Sequence, residues 1–133
     1  NVCPSIIAGL PGLRIENERL ENIEIVYPGH ADPEYAYAGT SKEELDAIEE
    51  QETRYPEFSN WKELPAWGFY IRHADGIVFD NVKITVDGED YRPALVADDV
   101  NGLRMKNLQI NQETAPKGKK QIITKDTKNI RKK

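Results

Sequence analysis

Apolar and polar positions alternate along much of the chain in short bursts, and three of these bursts share one phrase. Leu20-Glu21-Asn22-Ile23-Glu24-Ile25, Phe79-Asp80-Asn81-Val82-Lys83-Ile84 and Met105-Lys106-Asn107-Leu108-Gln109-Ile110 each read apolar, polar, Asn, apolar, polar, apolar. Alternation of this kind sends successive side chains to opposite faces of an extended strand. The agreement reaches further upstream in the second and third copies. There Asp75-Gly76-Ile77-Val78-Phe79 matches Asn101-Gly102-Leu103-Arg104-Met105, and Phe69-Tyr70-Ile71 falls opposite Leu95-Val96-Ala97. The offset between these two copies is 26 residues throughout. A fourth, partial copy follows, in which Ile122 and Asn129 stand 27 residues after Leu95 and Gly102. The first two copies lie 59 residues apart, so an insertion separates them.

A fixed period of this length marks a stacked architecture. Each repeat predicts two or three strands of three to five residues, punctuated by Gly, Asn and Asp. One repeat cannot bury its own apolar face, whereas repeats stacked at the ~4.8 Å strand spacing share a core and pair their backbones in parallel. Asn22, Asn81 and Asn107 then lie above one another at a bend, as turn formers that tolerate a left-handed backbone and can form an amide ladder. The chain is read as all-β, a parallel β-helix. A β-sandwich also has short strands and regular turns, but it does not demand a constant 26-residue phrase. Leucine-rich repeats share a Leu/Asn pattern with a stricter consensus and a period of about 20–29 residues.

The repeat is interrupted over residues 30–67. Ser41-Lys42-Glu43-Glu44 has the form of a capping box, and Leu45 and Ile48 continue it as a short amphipathic helix over 41–54 that ends before Pro56. The insertion and its borders hold Tyr27, Tyr35, Tyr37, Tyr55, Phe58, Trp61 and Trp67. Such aromatics either glue a long loop to its own protein or stack on sugar rings. Tyr35, Tyr37 and Trp61 are the candidates for carbohydrate contact, and Trp61 or Trp67 is the expected anchor of the loop on the outside of the fold.

Composition narrows the functional classes. No apolar run approaches the ~20 residues that span a bilayer, so no membrane partner is expected. The single cysteine, Cys3, closes no internal disulfide, no metal-site spacing is present, and no cofactor or metal is expected. Asn1 opens a chain whose sole methionine is Met105, as in a processed protein or a piece of a longer one. Residues 117–133 carry eight Lys or Arg against Asp126, which leaves −12 to the rest of a chain whose net charge is −5. A basic end suits solubility or a polyanion. Without interleaved aromatics it does not read as a nucleic-acid surface.

Several phrases resemble the late coils of glycoside hydrolase family 28, the polygalacturonases and rhamnogalacturonases, in their bacterial members. They are Ile7-Ala8-Gly9-Leu10-Pro11-Gly12 with Ile15-Glu16-Asn17, then Leu20 to Ile25, Trp67-Gly68-Phe69-Tyr70-Ile71-Arg72-His73-Ala74, and Arg92-Pro93-Ala94-Leu95-Val96-Ala97-Asp98-Asp99-Val100. The resemblance covers most of the chain up to about Ile110 and lies in scaffold motifs. It implies a right-handed, pectin-lyase-like solenoid with residues 1–133 as its C-terminal segment. It also implies a pectic polysaccharide as partner of the complete enzyme and a periplasmic or secreted location. The other partner it implies is a set of N-terminal coils, or another copy, at the edge near Asn1.

Family 28 enzymes invert the anomeric centre, one acid protonating the leaving oxygen while a second activates water across the ring. Their Asn-Thr-Asp and Gly-His-Gly signatures are absent from this sequence. Asp98-Asp99 resembles the paired aspartates but has no preceding partner motif. Arg104-Met105-Lys106 resembles the Arg-Ile-Lys but sits inside the repeated phrase. Both are read as turn and surface residues, and His30 and His73 lie too far from a matched acid to build a general base. No catalytic residue is therefore assigned. The leading reading is a scaffold segment, inactive alone, of a pectin-degrading glycosidase. A free-standing carbohydrate-binding module or a purely structural β-helix is the alternative.

Overall fold

The computed structural model describes residues 5–10, 12–28, 42–46, 65–88, 90, 92–112 and 120–132. The elements run β1 (Ser5–Ala8), β2 (Ile15–Glu16), β3 (Arg19–Tyr27), α1 (Lys42–Asp46), β4 (Phe69–Val86), β5 (Leu95–Asn111), β6 (Ile122–Lys125) and β7 (Lys128–Arg131). The fold is all-β, with parallel pairing between the strands. β1, β2 and β3 pair along one edge of β4, β5 pairs along the other, and β6 and β7 pair with β5.

The register is that of the sequence repeat. β4 and β5 match at an offset of 26 from Phe69↔Leu95 to Thr85↔Asn111. β6 and β7 continue at 27, as in Leu95↔Ile122 and Asn101↔Lys128. β2 and β3 meet β4 at 59, whereas β1 meets it at 64, as Ser5↔Phe69 shows. Five extra residues between β1 and β2 account for the difference. They form the tight excursion Gly9–Leu13, closed by reciprocal backbone hydrogen bonds of 3.0 Å between Leu10 and Leu13. Gly9 is required at its base, because a Cβ there would lie 2.6 Å from the His73 carbonyl oxygen.

Where separate short strands were expected, β4 and β5 pair almost continuously over 18 and 17 residues. They bend without losing their partners because single residues adopt positive φ: His73 (53°), Gly76 (70°) and Asn81 (57°) in β4, and Asp99 (56°), Gly102 (89°) and Asn107 (53°) in β5. The six are equivalent in pairs under the 26-residue register. Each bend also resets the alternation. Phe69, Ile71, Ala74, Ile77, Phe79, Val82, Ile84 and Val86 all enter the core, so the interval between inward positions lengthens from two to three at His73, Gly76 and Asn81. Leu95, Ala97, Val100, Leu103 and Met105 repeat that pattern one layer on, with Leu108 and Ile110 partly buried behind them. The bends bring distant parts of one strand together: Phe69 and Phe79 meet edge to face with centroids 4.9 Å apart.

A second, smaller apolar cluster lies on the outer face. Ile6, Tyr70, Val96 and Ile123 stack in register, and Leu45 of α1 closes over them with Ala66. The described part of the expected 41–54 helix is α1, and the rest lies outside the described residues. Leu45, only 1% exposed, is therefore the observed anchor of the insertion. Trp67 is not an outer anchor: it is fully buried in the inner core, where its ring meets Tyr27 at 5.7 Å. No helix among the described residues is long and apolar enough to cross a membrane.

The register makes a paired prediction. Val82, 1% exposed, faces inward against Ile23 and Leu108, whereas its neighbour Lys83 faces outward between Glu24 and Gln109. Val82→Asp buries a carboxylate without a partner and costs several kcal/mol, on the order of the whole stability of a small domain. Lys83→Asp places a like charge opposite Glu24 and costs about 0.2–1 kcal/mol. Thermal melts of the two variants should differ accordingly, and equal losses would refute the inward–outward assignment.

Candidate functional site

The bends stack, and polar side chains collect along them in columns. In the 59-, 26- and 27-residue registers Arg14, His73, Asp99 and Asp126 occupy one column. Its last three members hold φ of 53°, 56° and 49°. The Gly9–Leu13 excursion replaces the single-residue bend in the first layer and delivers Arg14 beneath His73. From there the guanidinium spans three layers. Its Nε and Nη2 donate to the two Asp75 oxygens, each at 2.9 Å, and Nη1 donates to Asp99 Oδ2 at 2.6 Å. Nη2 also donates to the carbonyls of Ala74 (3.0 Å) and Asp99 (2.9 Å). His73 Nδ1 lies 2.7 Å from the same Asp99 Oδ2.

Electrostatics fix the state of this group. The Asp75 hydrogen bonds, then those of Asp99, raise the Arg14 pKa further above its already high value. Partial burial pushes the Asp99 carboxyl up, but the hydrogen bonds and charges of His73 and Arg14 outweigh it and hold the group below the ordinary carboxylate range. Asp99 is thus ionised at neutral pH, and its Oδ2 faces both Arg14 and His73. Such a group is a poor proton donor. The cluster is a brace between layers.

The adjacent column is also ionic. Arg72, Asp98 and Lys125 stack in register. Lys125 Nζ donates to Asp98 Oδ1 at 3.1 Å and to Asp46 of α1, and it lies 3.2 Å from Asp126 Oδ2. Arg72 Nε stands 3.4 Å from Asp98 Oδ2, a Coulombic contact. Burial lowers the Lys125 pKa, yet its hydrogen bonds to Asp46, Asp98 and Asp126 raise it overall, and the bond to Lys125 lowers that of Asp46. Asp98 is 1% exposed. It is thus a buried link to the insertion helix, where a surface position was expected.

The third column is the amide ladder. Asn81 Nδ2 donates to Asn22 Oδ1 and Asn107 Nδ2 to Asn81 Oδ1, both at 2.8 Å. All three asparagines hold φ between 53° and 57°. Beside them opens a shallow cleft of about 240 Å³ lined by Asn22, Ile23, Glu24, Asn81, Val82, Lys83 and Gln109.

Tyr35, Tyr37 and Trp61, the candidates for sugar stacking, lie outside the described residues, as do His30 and Cys3. Arg104, Met105 and Lys106 stand in register with Val78, Phe79 and Asp80, with Met105 buried and its neighbours exposed. Arg14 was missed by motif reasoning, although its equivalence to His73 at the 59-residue offset is visible once the excursion is recognised. Among the described residues no group of three or more His, Cys, Asp or Glu side chains could hold a metal ion. No family model, curated protein or solved structure matches the chain.

A pH prediction follows from Asp99. Its folded pKa lies below the unfolded one, so its contribution to stability is full above about pH 4 and is lost as pH falls through the folded value. Asn accepts the left-handed backbone at this position. Asp99→Asn should therefore keep the bend, lower the melting temperature at pH 7, and converge on the parent protein towards pH 2–3. Melting curves that stay equally far apart from pH 7 to pH 2.5 would count against the ionic brace.

Proposed function

We propose that this chain is the C-terminal scaffold segment of a right-handed parallel β-helix. In this reading the complete protein is a pectin-degrading glycoside hydrolase that cleaves galacturonan-type bonds on other coils. One observation carries the architecture: β4 and β5 keep a constant 26-residue register through three bends at equivalent left-handed residues. A translation that preserves both pairing and bend positions is what successive turns of a solenoid require. The sequence phrases that resemble family 28 supply the enzyme class. In this reading the insertion 30–67 leaves the solenoid between two turns and docks back through Leu45.

The segment contributes no acid–base pair. Asp98 is buried between cations, and Asp99 is held ionised by Arg14 and His73. Its work is mechanical: it extends the stack that aligns the catalytic coils and closes one end of it. The missing partner is a set of preceding coils stacked on the free edges of β1, β2 and β3, which among the described residues pair only with β4.

Two measurements test the proposal. The chain alone should release no reducing ends from polygalacturonate or rhamnogalacturonan; turnover abolished by Asp98→Asn or Asp99→Asn would overturn its scaffold role. The complete gene product should cleave one of these polymers by inversion, read from the anomer first formed by NMR. A complete product that cleaves neither would remove the pectinolytic assignment.

A further inference from the structure

Burial along β5 follows the layer that covers it. Leu95 and Ala97 pair with β6 and Leu103 pairs with β7, and all three are fully buried. Pairing with β7 ends at Arg104, and among the described residues no strand runs along that edge of β5 from Lys106 to Asn111. There Leu108 and Ile110 are only partly buried. They share the inward columns of Val82 and Ile84, which are 1% and 0% exposed. The difference is the covering layer. Over these columns β4 has β3 on one side and β5 on the other, whereas β5 has β4 alone. The last layer therefore closes the core over residues 95–104 and leaves a step over 106–111.

The amide ladder stops at the same step. Asn22 Oδ1 and Asn81 Oδ1 each accept from the asparagine of the following layer at 2.8 Å. Asn107 Oδ1 instead accepts from Gln109 of its own strand, at 3.3 Å. An unpaired strand edge is a template for another strand. At this one the backbone, two apolar side chains and a terminal carboxamide all face the position of a further layer.

We propose that the Lys106–Asn111 edge of β5 binds an extended segment of another polypeptide as an added parallel strand. The segment reads Asn, apolar, polar, apolar. Its chemistry follows from continuity with the β3–β4 and β4–β5 interfaces, where strands of that phrase already stack on one another. Its Asn donates to Asn107 Oδ1, and its two apolar side chains cover Leu108 and Ile110. In strand addition the main-chain hydrogen bonds supply affinity, and alternate side chains supply specificity. The surface lies at the opposite end of the stack from the free edges of β1, β2 and β3. It does not depend on what the complete protein cleaves.

The test is titration of the intact chain with an acetylated and amidated hexapeptide of the sequence Asn81 to Val86, followed by amide hydrogen exchange. The peptide should bind and slow exchange at alternate amides between Asn107 and Asn111. Replacing its Asn by Asp removes the donor to Asn107 and should weaken binding about tenfold. A scrambled peptide without the alternation should not bind. These controls leave the protein itself unaltered, so a variant that fails to fold does not enter. No binding, equal binding of the scrambled peptide, or protection confined to β3 would overturn the proposal. So would slow exchange at these amides before any peptide is added. If it fades on dilution, the edge belongs to a second copy, and if it persists in the monomer, the chain covers the edge itself.

Discussion

A strand alternates its side chains between two faces, and an enclosed core forms only if the chain can turn without exposing the next apolar residue. Here that is done by single residues held at positive φ. Eight of those described are not glycine: Asn17, Asn22, His73, Asn81, Asp99, Asn107, Asp126 and Asn129. Each costs backbone strain, roughly 1–2 kcal/mol for a side chain with a Cβ and less for Asn and Asp, which bond locally. The strain is offset because every bend keeps the inward set apolar and aligns its own polar side chain with those of neighbouring layers. The Arg14 brace, the asparagine ladder and the ionic column beside α1 all depend on that alignment. Remove the bends and the strands lose both their common core and their polar seams.

The layers and their register were legible in the sequence because strand pairing here is a pure translation. Residues that match in the repeated phrase, such as Asn81 and Asn107, are the residues that stack. The amide ladder followed from that equivalence and from the tolerance of Asn for a left-handed backbone. Legibility failed where local chain length changed. The Gly9–Leu13 excursion shifts β1 to an offset of 64 while β2 keeps 59, which hides the equivalence of Arg14 and His73. The aromatic company of Trp67 groups it with the insertion, yet the chain is already committed to pairing there, with Trp67 N donating to the Pro93 carbonyl at 2.9 Å and Gly68 N to that of Ala94 at 3.0 Å. Asp98 and Asp99 show a further limit. Adjacent residues of one type meet opposite fates, because the first lies under α1 and the second sits on a bend.

The charged groups also divide by place in the stack. Asp90 and Arg92 are both fully shielded in the connection between β4 and β5, with Arg92 Nε 2.8 Å from Asp90 Oδ1 and Nη2 2.8 Å from Oδ2. Such a pair contributes little net stability, while loss of either partner strands a buried charge. It fixes the geometry of one connection. The columns on the bends are half-exposed and satisfied across layers. The cations of β5 and β7 are exposed, as are Glu16, Glu21 and Glu24 of β2 and β3, and the like-charged Arg104 and Arg131 face one another in register.

The excursion between β3 and β4 has a further consequence. In a stack held by nearest-neighbour layers, a connection matters only through where it leaves and returns. Joining layers across 59 residues in place of 26 raises the entropic cost of loop closure by only about 0.7 kcal/mol. Leu45 and the bond from Lys125 to Asp46 can offset a cost of that size. Insertion in a connection between strands is thus nearly neutral, whereas one extra residue inside β4 would turn every downstream side chain to the wrong face until the next left-handed residue. The architecture is open to new loops at its corners and closed to change along its edges, so diversification of such a protein is channelled to the corners.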